Sequence, residues 1–131
     1  PHEDAPPRRI LVGTDFGAAS DRAARRAGAL AARHGAEVVL AHVVDPAGWQ
    51  VPDDPGALAT QNARELGGAA RVVTLRGRPA VELAEAARAE GADLVVVGSH
   101  GSGVLERALL GSVAEVVVER APVGVLVVTA P

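Results

Sequence analysis

The chain has 131 residues, enough for one domain with a substantial core, and it contains no cysteine, which excludes disulfides and thiolate metal sites. All 13 basic residues are arginine, and the absence of lysine excludes a Walker A phosphate loop and Schiff-base chemistry. The net charge of −3 argues against nucleic acid as the main partner, and no apolar run approaches the about 20 residues that a membrane span needs. No signal peptide is recognisable either, so we expect a cytoplasmic protein that does not insert into a membrane.

Apolar runs punctuated by glycine and proline predict strands that alternate with helices along the chain. Residues 1–7 contain three prolines and no apolar periodicity, which predicts a flexible arm before a domain over residues 8–131. The predicted strands cover residues 10–12, 37–44, 71–75, 94–97 and 123–129, and the predicted helices cover residues 20–34, 57–66, 79–90 and 112–120. This order predicts an α/β fold of the Rossmann-like type, a three-layer sandwich with a five-stranded parallel sheet and helices on both faces.

A glycine-rich segment directly follows the fourth predicted strand. Gly98 and Gly101 are separated by two residues, and after nine more residues Gly111-Ser112 opens the last helix. Glycine lets a backbone approach a ligand closely, and a helix that begins at such a turn presents N–H groups without partners to an anion. The spacing therefore predicts two backbone cradles for phosphate that face one site.

Asp15 follows the first strand, and it is the acidic candidate for the same site. In an open parallel sheet, ligands bind beyond the carboxyl ends of the strands, where the strand order reverses. If the order reverses between the first and fourth strands, Asp15 and the glycine-rich loop share one crevice. A carboxylate there can accept from ribose hydroxyls or hold a divalent cation. The alternatives are that Asp15 only caps a helix and that the glycines only form tight turns.

The remaining polar candidates have simple structural explanations. Ser112 is predicted as the N-cap of the last helix, with Glu115 completing a capping box. His100 lies in the glycine-rich loop and is a candidate ligand contact or a merely polar loop residue, whereas His42 is predicted as a core or edge histidine. No two histidines have the spacing of zinc ligands, and no G-x-S-x-G elbow is present. We therefore predict no metal site formed by the protein alone and no catalytic residue.

Four stretches together resemble the universal stress protein family: residues 10–16, 38–45, 77–80 and 98–113. The resemblance covers almost the whole chain, from Arg8 to Thr129, with the motifs in the expected order. It implies an α/β sandwich with a five-stranded parallel sheet and, in many members, a homodimer formed through the last strand, here residues 123–129. Gly17 stands where members commonly have serine, which implies a less firmly held start of the first helix.

Members that bind ATP are similar to this chain in the pattern G-x-x-G, nine residues, G-S/T. The contacts that the resemblance implies run from base to phosphate: Thr14, Asp15 and Val43 at the adenine and ribose, Val97 and Gly98 against the ribose, and Gly101, Gly111, Ser112 and Val113 at the phosphates, with His100 in the same loop. The implied ligand is ATP, AMP or another adenine nucleotide, with Mg²⁺.

The resulting function hypothesis is a stress or signalling module in which the nucleotide shifts a conformational or dimer equilibrium. Efficient ATP hydrolysis is not predicted, because no general base or arginine finger is evident, and slow hydrolysis is left open. Two alternatives remain open. An adenylate-handling enzyme would have to use His100 or Arg107 near the terminal phosphate, and a nucleotide-free interaction domain would be part of a longer protein.

Overall fold

The computed structural model describes residues 6–15, 17–44, 55–66, 70–99 and 111–129. Most of the predicted arm lies outside these ranges, so its flexibility stays a prediction. The strands are β1 (Arg9–Thr14), β2 (Glu37–Val44), β3 (Ala70–Arg76), β4 (Leu94–Gly98) and β5 (Gly124–Val128), and the helices are α1 (Ala18–His34), α2 (Pro55–Glu65), α3 (Pro79–Ala89) and α4 (Ser112–Arg120).

Every predicted strand and helix is present, and the main correction concerns the start of α1. We expected the helix to begin at Ser20, but it begins two residues earlier, at Ala18. Its N-cap is Gly17, whose backbone is extended (φ −85°, ψ 173°) and whose carbonyl accepts a hydrogen bond from the Asp21 N–H at 2.9 Å. Ser20 is buried in the first turn of α1, and its hydroxyl donates a hydrogen bond to Asp15 Oδ1 instead of capping the helix.

The sheet has the order β3-β2-β1-β4-β5, and all neighbouring strands are parallel. The predicted α/β sandwich with a five-stranded parallel sheet is confirmed. The chain proceeds outwards from β1 to β3 on one side and then crosses over to β4 on the other. The reversal of strand order therefore lies between β1 and β4, as the interpretation of Asp15 required.

The two faces of the sheet bury separate layers of aliphatic side chains. Ile10 and Val12 face α1 and α2, whereas Leu11 between them faces α3 and α4, and all three are fully buried. The face on α1 contacts mainly alanines of that helix, which allows the helix to lie close to the strands. Because both faces are covered, the strands are continuous apolar runs rather than alternating ones.

Charged groups join the strands at the amino end of the sheet. The Asp93 carboxylate, just before β4, accepts a hydrogen bond from the backbone N–H of Arg9 at 3.2 Å. The Arg71 guanidinium contacts the carboxylates of Glu37 at 3.1 Å and Glu90 at 2.6 Å. In addition, Arg9 Nη1 donates to the carbonyl of Glu90 at 2.6 Å. Most polar groups at this end of the sheet are therefore paired, although Arg9 Nε, 3.5 Å from a carboxylate oxygen of Glu37, has no hydrogen-bond partner in the described part of the chain.

No helix within the described ranges is long and apolar enough to cross a membrane. The cytoplasmic location and the absence of a nucleic-acid partner stay predictions.

Candidate functional site

A cleft of about 230 Å³ opens at the carboxyl end of the sheet, where the strand order reverses. Its walls come from the ends of three strands and from three helices, and the residues that line it are Gly13, Thr14, Asp15, Ser20, Ala41, Val43, Pro79, Leu83, Val97, Gly98, Ser99, Gly111, Val113 and Ala114. In a parallel sheet this is the position at which ligands characteristically bind.

A larger groove of about 520 Å³ runs along the outer side of α1, and its lining includes Arg22, Arg25 and Arg26. These side chains are exposed, and among the described lining residues Val128 alone belongs to a strand. Size alone therefore does not select the site. The smaller cleft is the better candidate because strand ends and a helix N-terminus converge there.

Seven of the ten predicted site residues line this cleft: Thr14, Asp15, Val43, Val97, Gly98, Gly111 and Val113. Ser112 is the first residue of α4 and lies between two of them in the chain. His100 and Gly101 lie outside the described residues. The fold thus brings most of the predicted set to one place, and the contacts of these residues with a nucleotide stay a prediction.

Asp15 closes the turn between β1 and α1 and also borders the cleft. Its Oδ1 accepts hydrogen bonds from the Gly17 N–H and from the Ser20 hydroxyl, both at 2.8 Å. In return, the Asp15 N–H donates to Ser20 Oγ at 3.2 Å. These bonds hold the start of α1 although Gly17 has no capping side chain. Asp15 does not cap the helix itself, because its bonds go to the N–H of the N-cap residue and to a side-chain hydroxyl, but they hold its carboxylate beside the cleft.

Two glycines in the cleft wall pack closely against neighbouring groups of the protein. A Cβ added to Gly98 would lie 2.8 Å from the carbonyl carbon of Ala19 and 2.9 Å from the Ser20 nitrogen, so α1 could not approach β4 as it does. A Cβ at Gly13 would lie 2.7 Å from a terminal methyl of Leu83, which packs over it. The close approach of α1 explains Gly98 without any contact to a ribose.

The N-terminus of α4 forms one wall of the cleft, and its cap differs from the predicted one. The N-cap is Gly111 (φ −66°, ψ 158°), whose carbonyl accepts the first helical hydrogen bond from the Glu115 N–H at 3.0 Å. The prediction that Ser112 caps this helix was therefore wrong, because Ser112 is already its first helical residue.

The hydrogen bonds at this cap determine which N–H groups can serve a ligand. The Gly111 N–H donates to the carbonyl of Ser99 at 2.5 Å, so it is engaged within the protein. The N–H groups of Ser112, Val113 and Ala114 lie in the first turn, where a helix supplies no carbonyl partner. Together with the positive end of the helix dipole, these groups favour an anion.

His42 is a buried core histidine, as predicted, and it lies on the face of the sheet away from the cleft. It is 2% exposed, and its Nε2 is 3.1 Å from the Thr74 hydroxyl on the neighbouring strand. Its neighbours Ala41 and Val43 line the cleft, so His42 faces α1 and α2. Burial lowers the pKa of His42 from its ordinary value of 6.5 and favours the neutral ring.

A sequence model of the universal stress protein family matches residues 6–129, nearly the whole chain. The chain belongs to the universal stress protein family. A universal stress protein of Methanocaldococcus jannaschii is 37% identical to it, over 95% of this chain and 83% of the relative. One from Thermus aquaticus is 35% identical, over 92% of this chain and 98% of the relative.

Solved structures of universal stress proteins and similar chains have the same architecture. The structure of the protein MJ0577 superposes with a TM-score of 0.85 at 27% identity, over 97% of this chain and 99% of that one. The crystal structure of a universal stress protein in complex with cAMP superposes with a TM-score of 0.75 at 33% identity, over 95% and 98%.

Several residues of the cleft were not anticipated from the sequence of this universal stress protein domain. Ser20 was assigned to a helix start, although the spacing of five residues from Asp15 could have suggested the hydrogen bond between them. Leu83 and Pro79 enter the wall because α3 packs over the end of β1. Ser99 gave no signal beyond its place in the glycine-rich segment. Within the described ranges, no three acidic or histidine side chains come together as a metal site would require.

Proposed function

We propose that this universal stress protein domain binds an adenine nucleotide, ATP or AMP, in the cleft and acts as a sensor module. The observation that carries the proposal is the convergence of seven predicted contact residues and the α4 N-terminus on one cleft at the switch point of the sheet. A relative of known structure, 33% identical over nearly its full length, is described as a complex with cAMP, which supports an adenine nucleotide as the ligand class.

The chemistry of the cleft wall matches the parts of such a nucleotide. Val43 and Leu83 would offer aliphatic surface to the base and Val97 to the ribose, and the polar groups are few and local, as in most small-molecule sites. Asp15 stands at the mouth, where a carboxylate can accept hydrogen bonds from ribose hydroxyls. The first-turn N–H groups of α4 would donate to the phosphates.

Magnesium fits this cleft only when it is bound together with the nucleotide. Asp15 is the one carboxylate among the described lining residues, and its Oδ1 is hydrogen-bonded to Gly17 and Ser20. Mg²⁺ is usually held by one or two carboxylates together with phosphate oxygens and water. Asp15 would therefore contribute at most one ligand, and the phosphates would hold the ion.

We also propose that the module binds ATP without hydrolysing it efficiently. A hydrolase needs a group that positions or deprotonates water beside the terminal phosphate. Asp15 is the ionisable side chain among the described lining residues, and it stabilises the turn before α1. An enzyme based on His100 or Arg107 is the competing proposal, and rapid turnover of ATP would favour it.

The two edges of the sheet support a homodimer through β5. The β3 edge carries Arg71, Thr74 and Arg76, which are exposed, and charged side chains commonly protect an edge strand from pairing. The β5 edge, residues 124–128, contains only glycine, valine and leucine. We propose that a second copy pairs along β5 and that the nucleotide shifts this equilibrium.

Calorimetric titration with ATP and Mg²⁺ tests the binding proposal, and α4 offers a matched pair of variants. Val113 is 36% exposed in the first turn and lines the cleft, whereas Val118 is 49% exposed on the same helix and does not. A carboxylate in Val113→Asp faces the phosphates and should weaken binding at least about tenfold, which corresponds to about 1.4 kcal/mol. Val118→Asp should bind as the wild type does.

The titration also discriminates between the hypotheses. Failure of the wild-type protein to bind millimolar ATP would contradict the binding proposal and favour the nucleotide-free interaction domain. Several turnovers per minute would favour the enzyme instead.

A further inference from the structure

The outer face of α1 carries three arginines whose guanidinium groups form no ion pair within the described ranges. They are Arg22, Arg25 and Arg26, which are exposed and line the groove of about 520 Å³. Because they are three and four positions apart, they lie on one side of the helix. Arg22 Nε donates to the carbonyl of Thr129 at 2.9 Å and Arg25 Nε to that of Asp21 at 3.5 Å, which leaves the Nη groups of both for another acceptor.

The lack of ion pairs in this cluster contrasts with the rest of the molecule. At the amino end of the sheet, Arg71 contacts two carboxylates. The whole chain has a net charge of −3, yet Asp21 is the single acidic residue among the described lining of the groove. Like charges four positions apart, as Arg22 and Arg26 are, destabilise a helix. A negatively charged occupant of the groove would relieve this repulsion.

The groove also has an apolar part, which indicates more than a small anion. Ala18 and Ala29 of α1 and Val128 at the end of β5 line it together with the arginines. A free phosphate would leave these apolar side chains uncovered. A peptide that carries both carboxylates and apolar side chains would contact the guanidinium groups and the apolar part at once.

Two other occupants fit the groove less well. A second copy of the chain, related by a two-fold axis at the groove, would bring arginine against arginine, because such an interface uses the same patch twice. A nucleic acid would extend beyond the groove over a molecule whose net charge is −3, and the repulsion would oppose binding.

We propose that the α1 groove binds an acidic segment of a partner protein. Carboxylates of that segment pair with Arg22, Arg25 and Arg26, since a guanidinium group binds a carboxylate through two parallel hydrogen bonds. Apolar side chains of the segment cover Ala29 and Val128. The groove and the nucleotide cleft have no described lining residue in common, so this docking surface does not depend on nucleotide binding.

Fluorescence anisotropy with a short labelled peptide of alternating glutamate and leucine tests the proposal. We expect the wild-type protein to bind this peptide with a Kd below about 1 mM at low salt, and the binding to weaken as salt is added. Arg26→Glu should weaken it by at least about tenfold, because a charge pair is lost and a like charge is introduced. Arg88→Glu, at an exposed position of α3 on the other face of the sheet, makes the same change in net charge and should bind as the wild type does.

Two further probes and a stability measurement separate the possible sources of binding. A peptide with glutamine in place of every glutamate should not bind, and tripolyphosphate should compete only weakly because it covers none of the apolar part. Urea unfolding of the free protein should show no loss of stability in Arg26→Glu, since the change removes the repulsion between positions 22 and 26. Arg26→Gln, which only removes the charge, should show a smaller loss of peptide affinity.

Each other outcome overturns the inference. No binding of the acidic peptide by the wild type, or equal losses in Arg26→Glu and Arg88→Glu, shows that the groove is not the docking surface. Tripolyphosphate binding as tight as that of the peptide would indicate a site for small anions instead. A dimer that dissociates in Arg26→Glu, with no peptide binding by the wild type, would indicate that a second copy covers the groove. None of these results bears on nucleotide binding in the cleft, which is measured separately.

Discussion

The two ends of the sheet are built from different groups, although the same strands run through both. At the amino end, Asp93 accepts from the N–H of Arg9, and Arg71 joins two carboxylates. At the carboxyl end, four of the five strands finish in threonine, valine or glycine, and the Ser99 Oγ has no hydrogen-bond partner in the described part of the chain. Most polar groups at the amino end are paired with each other, whereas the first turn of α4 at the carboxyl end has N–H groups without helical partners.

The direction of the strands explains this difference. In a parallel sheet, every strand ends at the same edge, and each following helix begins there. The N–H groups of the first turns and the positive ends of the helix dipoles therefore collect at the carboxyl end. At the amino end the helices finish, for example α3, and the carbonyl of its C-cap residue Glu90 accepts a hydrogen bond from Arg9 Nη1.

The largest expected effect is a loss of stability, and it separates two glycines that lie at opposite ends of neighbouring strands. Gly98 ends β4 at the cleft, and Gly124 begins β5 at the amino end. Gly98→Ala places a Cβ 2.8 Å from the backbone of Ala19, and we expect it to cost about 3 kcal/mol of unfolding free energy through forced separation of α1 from the sheet. An added Cβ at Gly124 meets nothing within 4 Å, so Gly124→Ala should change stability by less than about 1 kcal/mol.

Urea unfolding of both variants measures these two changes. A wild-type midpoint for Gly98→Ala would contradict the close approach of α1 to β4 as the reason for this glycine.

Two carboxylates that accept backbone hydrogen bonds provide the second test. Asp15→Ala at the cleft and Asp93→Ala at the amino end each remove hydrogen bonds to backbone N–H groups, and each should cost about 1 to 2 kcal/mol. Only Asp15 borders the cleft, so only Asp15→Ala should also weaken nucleotide binding. Denaturant unfolding and calorimetric titration of both variants check this. Equal losses of affinity would show that binding follows stability alone.

The smallest expected effect concerns the buried His42 near the carboxyl end of β2. Its pKa is lowered by burial, so the unfolded chain binds the proton more readily than the native one. The stabilising contribution of the neutral ring is complete above about pH 6.5 and is lost as the pH falls toward the lower native pKa. Asp21 acts in the opposite sense, because burial raises its pKa and its contribution is lost as the pH rises from 3.8.

Urea unfolding at pH 7 and pH 5 tests the role of His42. We expect His42→Leu to lose less stability than the wild type between these two values. An identical loss would show that His42 does not determine the acid sensitivity.

The sequence was sufficient to predict the architecture because local signals and burial agree. Continuous valine and leucine runs gave the strands, and Pro79 marked the start of α3 as expected for proline in a first turn. The shared crevice of Asp15 and the glycine-rich loop followed from the reversal between β1 and β4, which the strand order confirms, whereas the other site residues came from the resemblance to the family.

The errors arose where a polar residue had two possible partners. Serine is a common N-cap residue, which suggested caps at Ser20 and Ser112. However, the Ser20 hydroxyl bonds to Asp15, and the carbonyl that accepts the first helical hydrogen bond of α4 is that of Gly111. The surroundings of Ser99 are formed by the end of β4, the end of β5 and the cap of α4, which are distant from one another in sequence. Such pairings are decided by tertiary contacts, which local patterns do not contain.

Amide hydrogen exchange with and without saturating AMP tests the central claim most directly, because it compares the two ends of the sheet in one experiment. If the cleft binds the nucleotide, exchange should slow at the first turn of α4, Ser112 to Ala114, whose N–H groups lack helical partners. At the amino end, the N–H of Arg9, bonded to Asp93, should be little affected. Unchanged exchange at α4, or slowing confined to the amino end, would contradict nucleotide binding in the cleft.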